Sequence, residues 1–329
     1  MPDLYDVAAI GNAIVDVIAP ASDAFLAENR LDKGAMMLVD AAQSAALYGK
    51  MAKGIEASGG SAANTIAGLA SFGGKGAFMG KVASDPLGET FARDMRAIGA
   101  RFENAPLEGG PATAVSMINV TPDGQRTMCT FLGASVEFTD ADVDVATVEA
   151  AKIVYLEGYL FDAEQARRAF AKAAALARGS GRTLALTLSD SFVVERHRDG
   201  LLGFIESQVG LLFANEAELL AMFQTDDFEE ASEQLLRRCE LAAVTRSEKG
   251  SVILSKGETL HIPAERVEKV VDTTGAGDQY AAGFMYGLSG GRSLADCGRL
   301  ASLAAAEVIS HYGPRPQVSL KDLAAAKGL

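Results

Sequence analysis

The sequence predicts an α/β fold: a mainly parallel sheet sandwiched by helices, with a small β-sheet lid. Three observations predict it. Short apolar runs recur without strict polar alternation, as strands covered on both faces require. Longer segments with helical spacing separate those runs, which is the pattern of β-α-β units. Two stretches, about 14–55 and 110–135, break the rhythm.

In chain order the strand runs are Val7 to Ile10, Ala77 to Gly80, Ile153 to Leu156, Thr183 to Leu188, Leu211 to Ala214, Ala242 to Val244 and Ser251 to Leu254. Helices are predicted over Ser61 to Phe72, Leu87 to Ile98, Ala163 to Arg178, Glu216 to Phe223 and Phe228 to Cys239. In the second irregular stretch, Ala114 to Val120 meets the turn residues Thr121-Pro122-Asp123-Gly124 and continues as Arg126 to Leu132, a β-hairpin. Paired with the first stretch it would make a small sheet over the strand ends, where α/β folds bind ligands. At 329 residues the chain exceeds the roughly 150 of a typical domain. That length allows about two units or one large α/β domain carrying an elaboration; with no repeat or low-complexity linker, one catalytic domain over 1–329 with the lid inserted is expected.

Composition narrows the function. Apolar residues at 49% and charged residues at 22% are ordinary globular usage and exclude a disordered chain. A net charge of −13 repels phosphate backbones and anionic lipid, so neither nucleic acid nor membrane is an expected partner. Cys129, Cys239 and Cys297 lie far apart, which argues against a disulfide framework or a thiolate zinc site and fits a reducing cytoplasm. The start, Met1-Pro2-Asp3-Leu4-Tyr5-Asp6, places acids where a secretory signal needs bases. The longest uncharged run, Ala57 to Gly74, contains five glycines and reads as a loop and a helix rather than a membrane span.

The chemistry concentrates in Val270-Val271-Asp272-Thr273-Thr274-Gly275-Ala276-Gly277-Asp278, followed by Ala281, Phe284, Met285 and Leu288 at helical spacing. A strand running into a glycine turn at a helix N-terminus leaves amides without partners, so an anion can sit on bare backbone. A carboxylate facing such a turn repels an anion. Asp278 therefore reads as a proton acceptor: a hydroxyl beside it would lose its proton while the Gly275, Ala276 and Gly277 amides hold a transferring phosphoryl group. Neither a Walker A motif nor a Gly-x-Gly-x-x-Gly fingerprint is present.

At these residues the sequence resembles the PfkB, or ribokinase-like, family of carbohydrate and nucleoside kinases, whose hallmark is Thr-x-Gly-Ala-Gly-Asp. Thr273 to Asp278 match it. The resemblance implies ATP and Mg²⁺, and it extends to further motifs in family order. Gly11-Asn12-Ala13-Ile14-Val15-Asp16 corresponds to the stretch that presents Asn12 and Asp16 to substrate hydroxyls. A carboxylate there accepts charge-assisted bonds from two adjacent hydroxyls. Gly59-Gly60-Ser61-Ala62-Ala63-Asn64 implies substrate contacts at Gly59, Gly60, Ser61 and Asn64, with Ser61 also a plausible N-cap. Asn215 and Glu218 match the Asn-x-x-Glu motif, in which the glutamate organises water around magnesium. Thr245-Arg246-Ser247-Glu248-Lys249-Gly250 resembles Thr-x-Gly-x-x-Gly, which lines the ATP phosphates, but has Arg246-Ser247 where the family has x-Gly, and Arg246 could contact phosphate directly. A monovalent cation such as K⁺ near Asp272 and Gly313-Pro314-Arg315-Pro316 is a further implication.

Three features resemble the adenosine kinases of that family: Gly-Gly-Ser-x-x-Asn, Leu188-Ser189-x-x-Phe192, and Gly124-Gln125-Arg126-Thr127-Met128, whose Arg126 would close over the phosphates. Met36, Met37, Met128, Leu132 and Tyr159 are candidates for an apolar slot taking a purine. The reading is transfer of the γ-phosphoryl group of ATP to the 5′-hydroxyl of adenosine. Sugar kinases acting on ribose, fructose or 2-keto-3-deoxygluconate share the catalytic motifs and stay open. So does a non-catalytic nucleotide-binding regulator. Both a monomer and a lid-paired homodimer are compatible with the resemblance.

Overall fold

The computed structural model describes residues 4–329; Met1, Pro2 and Asp3, half of the acidic start, lie outside the described residues. In chain order the first half contains β1 (Tyr5–Ile10), β2 (Ile14–Pro20), α1 (Asp23–Glu28), β3 (Met36–Leu38), α2 (Ala41–Tyr48), β4 (Ile55–Gly59), α3 (Ser61–Ser71), β5 (Gly76–Met79), α4 (Pro86–Ala97), β6 (Ala114–Val120), β7 (Arg126–Phe131), α5 (Val145–Glu149) and β8 (Ala151–Glu157). The second half adds α6 (Glu164–Gly179), β9 (Thr183–Thr187), α7 (Ser191–Gln208), β10 (Leu211–Asn215), α8 (Glu216–Phe223), α9 (Phe228–Leu236), β11 (Leu241–Thr245), β12 (Ser251–Ser255), β13 (Thr259–Ile262), α10 (Ala276–Ser289), α11 (Leu294–Val308) and α12 (Leu320–Ala326).

Eight strands form one sheet in the order β13-β12-β11-β10-β9-β8-β1-β5. It is parallel from β11 to β5, and β12 is antiparallel to both its neighbours. Its strands lack polar alternation because each buries both faces. Val7 and Ala9, Ile153 and Tyr155, and Leu211 and Phe213 enter a core shared with α3, α4, α10 and α11. The intervening Ala8 and Ile10, Val154 and Leu156, and Leu212 and Ala214 enter the core under α6, α7, α8 and α9. Each large side chain fully buried in this way contributes on the order of 1.5–3 kcal/mol.

The two irregular stretches meet as a second, five-stranded sheet in the order β3-β7-β6-β2-β4. The hairpin β6–β7 is antiparallel, and β6 joins β2 in parallel, pairing Asp16 with Ser116. Here alternation is strict. Val15, Val17, Val115, Met117 and Cys129 pack into the core beside α3 and α4, while Ile14, Asp16, Ser116, Ile118, Met128 and Thr130 face a cavity.

The seven listed strand runs and the hairpin all form, with ends shifted by two residues at most. Two expectations need correction. No strand precedes the glycine turn: residues 265–274 are irregular, and the Val271 amide is drawn away to the Ile309 carbonyl. The helix begun at Phe228 ends at Leu236, and Cys239 turns in to contact the Leu241 carbonyl through its thiol. All three cysteines are buried and unbridged. Among the described residues no helix is long and apolar enough to cross a membrane.

Candidate active site

A cavity of about 490 Å³ opens at the carboxyl ends of β9, β10 and β11, between the eight-stranded sheet, the second sheet and the N-termini of α3 and α10. That is where a parallel sheet places its ligands. The floor is the glycine turn. Gly275 caps α10 with φ 80°, and a Cβ there would collide with Pro314, so the position requires glycine on two counts. No side chain caps this helix, and a Cβ added at Gly277 would meet open space. The Ala276 amide is engaged by the Thr273 carbonyl at 3.2 Å. The Gly277 and Asp278 amides, in the first helical turn, lack intrahelical acceptors, which is the arrangement that can receive an anion.

Asp278 stands beside them. Ser61 Oγ donates to its Oδ1 at 2.6 Å and Asn64 Nδ2 to its Oδ2 at 3.2 Å. Both donors come from the first turn of α3. The bend that starts this helix needs Gly60, at φ 94°, where a Cβ would strike the Asn12 carbonyl. Although the Asp278 carboxylate reaches the cavity, the protein around it excludes enough water to push its pKa up to about 6; Ser61, Asn64 and the Arg315 charge oppose the rise. Asp16, on the second sheet, is likewise pushed by burial to about 6, against the pull of Arg315 and Arg126 and with the repulsion of Asp278. The two carboxyls thus share one electrostatic environment at opposite walls of the cavity.

Asn215, Thr245, Thr273 and Glu218 line the far end. Asn215 and Glu218 form a reciprocal cap on α8: Glu218 N donates to Asn215 Oδ1 at 2.8 Å, and the Asn215 amide nitrogen donates to Glu218 Oε1 at 2.7 Å. Burial, reinforced by Asp190, raises Glu218 to about 7. Among the described residues no cluster of three or more His, Cys, Asp or Glu side chains could cage a metal. A single carboxylate such as Glu218 could hold Mg²⁺, which keeps most of its waters and takes the rest of its ligands from a bound phosphate.

The cavity brings together Asp16, Gly60, Ser61, Asn64, Met128, Tyr159, Asn215, Glu218, Thr245, Thr273, Gly275, Ala276, Gly277 and Asp278. Other expected residues lie elsewhere. Asn12 is buried behind the wall, donating from Nδ2 to Glu157 at 2.9 Å, and does not reach the cavity. Gly59 backs onto Asp16, whose carboxylate occupies the space a Cβ would need. Leu132 does not line the cavity; its carbonyl accepts from Ser135. Met36 and Met37 sit on the edge strand β3, Met36 exposed and Met37 packed toward the core, and Phe192 is exposed.

Three basic or turn positions also differ. Arg246 forms an ion pair with Glu216 at 2.6 Å and covers the Phe228 ring at 3.7 Å, and it does not line the cavity. Gly250 serves the tight turn into β12, with φ 84°. Arg126 pairs with Asp272 and reaches Thr274 Oγ1 at 3.3 Å, tying β7 to the glycine turn. Burial acts to raise the pKa of Asp272, but the Gly313 amide, Thr274 and Arg126 outweigh it and hold the carboxyl below its ordinary range.

Two residues escaped the sequence reading. Glu157 accepts from the Ala62 amide at 2.8 Å and from Asn12, so it fastens β1 to α3; burial lifts it to about 7. A lone acid at the end of an apolar strand, Leu156-Glu157-Gly158, was its signal. Arg315, in Gly313-Pro314-Arg315-Pro316, donates to Asn64 and Ser58. The sequence marked its loop only for a monovalent cation and gave this side chain no role of its own.

Residues 35–320 match the sequence profile of the pfkB family carbohydrate kinases. The chain belongs to that family. It is 27% identical over 328 residues to the adenosine kinase of Saccharomyces cerevisiae, covering 93% of this chain and 95% of that one. Among solved structures, a probable sugar kinase from Rhizobium etli is 49% identical with a TM-score of 0.91, covering 100% of this chain and 99% of its own. The adenosine kinase of Sinorhizobium meliloti is 52% identical with a TM-score of 0.90, covering 98% and 99%. The fold is therefore ribokinase-like, and the protein is a phosphotransferase with a hydroxyl group as acceptor. The regulator reading is dropped, since Asp278 and both glycines of the motif are in place.

Proposed function

We propose that this protein transfers the γ-phosphoryl group of ATP to the 5′-hydroxyl of adenosine. The observation that carries the reading is the shared cavity: Asp278 and the free amides of its glycine turn at one wall, and a sheet face of Ile14, Ile118 and Met128 around Asp16 at the other. The three apolar side chains offer a flat slot for a purine, and Asp16 accepts from ribose hydroxyls. The 52% identity to an adenosine kinase supports the same acceptor.

In this reading Asp278, as carboxylate, takes the proton of the 5′-hydroxyl. Ser61 and Asn64 hold it in place, and the Gly277 and Asp278 amides carry the negative charge of the transferring group. Mg²⁺ neutralises phosphate charge when bound, and Glu218 is the residue to hold it through water. The second sheet acts as a lid, because its cavity face covers the acceptor and excludes water. K⁺ near Asp272 would compete with the Arg126 guanidinium already there.

A sugar acceptor is the second reading, favoured by the 49% identity to a probable sugar kinase. An ADP-release assay with Mg²⁺-ATP and, separately, adenosine, ribose, fructose and 2-keto-3-deoxygluconate decides. Adenosine should give the highest kcat/KM by at least about tenfold, the discrimination one well-filled apolar slot provides. A sugar leading the panel overturns the nucleoside assignment and leaves the kinase chemistry standing.

A further inference from the structure

Arg315 is a cation among carboxylates that bonds to none of them. Nε donates to Asn64 Oδ1 at 3.1 Å and Nη1 to Ser58 Oγ at 2.8 Å, both neutral acceptors, while Nη2 lies 3.9 Å from Met95 Sδ. Asp16, Asp94 and Asp278 surround it closely enough to act on its charge. It thus touches the second sheet through Ser58 of β4 and the core through Asn64 of α3. The loop carrying it is fixed: Gln279 Nε2 donates to the Pro314 carbonyl at 2.9 Å, and Pro314 packs against Gly275.

The contact with Asn64 has a definite chemical consequence. An amide presents a donor on one side and an acceptor on the other. With Oδ1 claimed by a guanidinium, Nδ2 is turned to Asp278. The flipped amide would set Oδ1 against the Asp278 carboxylate and Nδ2 against a cation, two repulsions in place of two bonds.

We propose that Arg315 is a positioning residue for phosphoryl transfer: its guanidinium locks the Asn64 amide toward Asp278 and places a positive charge among the carboxylates beside the acceptor. The inference rests on Asp278 being the proton acceptor. Facing Asp278 are Asp16 from β2, Ser61 and Asn64 from α3, Tyr155 and Glu157 from β8, Tyr159 beyond it, and Arg315 itself. Asp16 faces Arg315, Arg126 and Asp278. Of the acids and bases around Asp278, Arg315 supplies the positive charge. Removing it therefore leaves a carboxyl already raised by burial with nothing but repulsion from its ionisable neighbours.

The test is the pH dependence of kcat for wild type, R315M and R315K, using whichever acceptor the wild-type enzyme phosphorylates, with D278N as control. R315M should move the acid limb to higher pH by about one unit, the loss expected on removing a nearby opposite charge, and so lower turnover about fivefold at pH 6 and about tenfold below pH 5. R315K, which keeps the charge without the fork, should leave the limb near the wild-type position and raise KM. An acid limb of R315M superposed on that of wild type overturns the proposal, as does a loss of equal size at every pH. If R315M fails to show the native circular dichroism spectrum, R315Q, neutral and still a donor to Asn64 Oδ1, takes its place with the same two outcomes. Full turnover by D278N would instead strike at the base assignment, so the two failures are told apart.

Discussion

The Ser61 hydroxyl, on the first residue of α3, donates to Asp278 Oδ1 across 2.6 Å although 217 residues separate the two in sequence. The bond joins the two helix N-termini that frame the cavity and leaves the remaining carboxylate lone pairs for a substrate proton. Asp278→Asn keeps the shape and removes proton acceptance, so kcat should fall by about 10²–10⁴. An acid at a helix end with no catalytic part would cost at most about 1 kcal/mol of stability and leave turnover nearly intact. Steady-state ADP release from the folded variant separates the two. Turnover within a few-fold of wild type would remove Asp278 from the mechanism.

Activity and stability should respond to pH in opposite directions. Asp16 and Asp278 are needed as carboxylates, and both are raised from 3.8 to about 6, so kcat/KM should fall as pH drops through about 6. Stability runs the other way. Between the unfolded value of 3.8 and about 6 the native state holds protons that the unfolded chain releases. The contribution of these carboxyls is therefore fully present below 3.8 and lost as pH rises through about 6. Asp278→Asn should accordingly stabilise the protein at pH 8, by on the order of 1–3 kcal/mol, and by less at pH 5. Thermal melts at the two pH values check it; an equal change at both would contradict the assigned shift.

Asp16→Ala should weaken acceptor binding while sparing ATP. Asp16 alternates with Val15 and Val17 on β2, so its carboxylate faces the cavity while they face the core, and no other carboxylate stands on that wall. Leaving substrate hydroxyls without a charged partner costs about 1.5–3 kcal/mol, or roughly ten- to a hundredfold in Kd. Calorimetric titration with adenosine and, separately, with a non-hydrolysable ATP analogue measures both. Unchanged adenosine affinity would take Asp16 out of the site.

What could be read from the sequence followed local rules, and what could not depended on distant partners. The unbroken apolar runs announced strands buried on both faces, and Thr121-Pro122-Asp123-Gly124 announced the β6–β7 turn. The glycine turn was legible because its backbone requirement is local: Gly275 at φ 80° allows nothing larger. Val270 and Val271 misled, since β-branched residues favour strands but find no neighbouring strand here. The destination of Arg246 was decided by Glu216 and Phe228 from other elements, and that of Asn12 by Glu157, 145 residues away. Motif position named these side chains without fixing which wall they would stand on. Arg315 is the same case inverted: its loop was noticed only as a possible cation neighbour, yet the partners of its guanidinium lie 251 and 257 residues back in the chain.

Arg126 and Asp272 should act as one unit. The pair is nearly closed off from solvent, with side-chain exposures of 11% and 7%, and it joins β7 of the second sheet to the turn that carries Gly275. If the pair holds the sheet over the reacting groups, Arg126→Ala should lower kcat more than it raises KM. Asp272→Asn should do nearly the same, because each removes the same connection. In the double variant the two losses should then fail to add, with a coupling on the order of 0.5–3 kcal/mol. Arg126→Lys should recover only part of kcat, since a single ammonium cannot serve Asp272 and Thr274 as the planar guanidinium does. The Arg126 Nε, buried without a partner, is a further donor that lysine lacks. Kinetics of the four enzymes complete the cycle. Strict additivity would mean that Arg126 acts on the phosphates independently of Asp272, and wild-type kinetics in Arg126→Ala would reduce it to a hairpin arginine with no part in turnover.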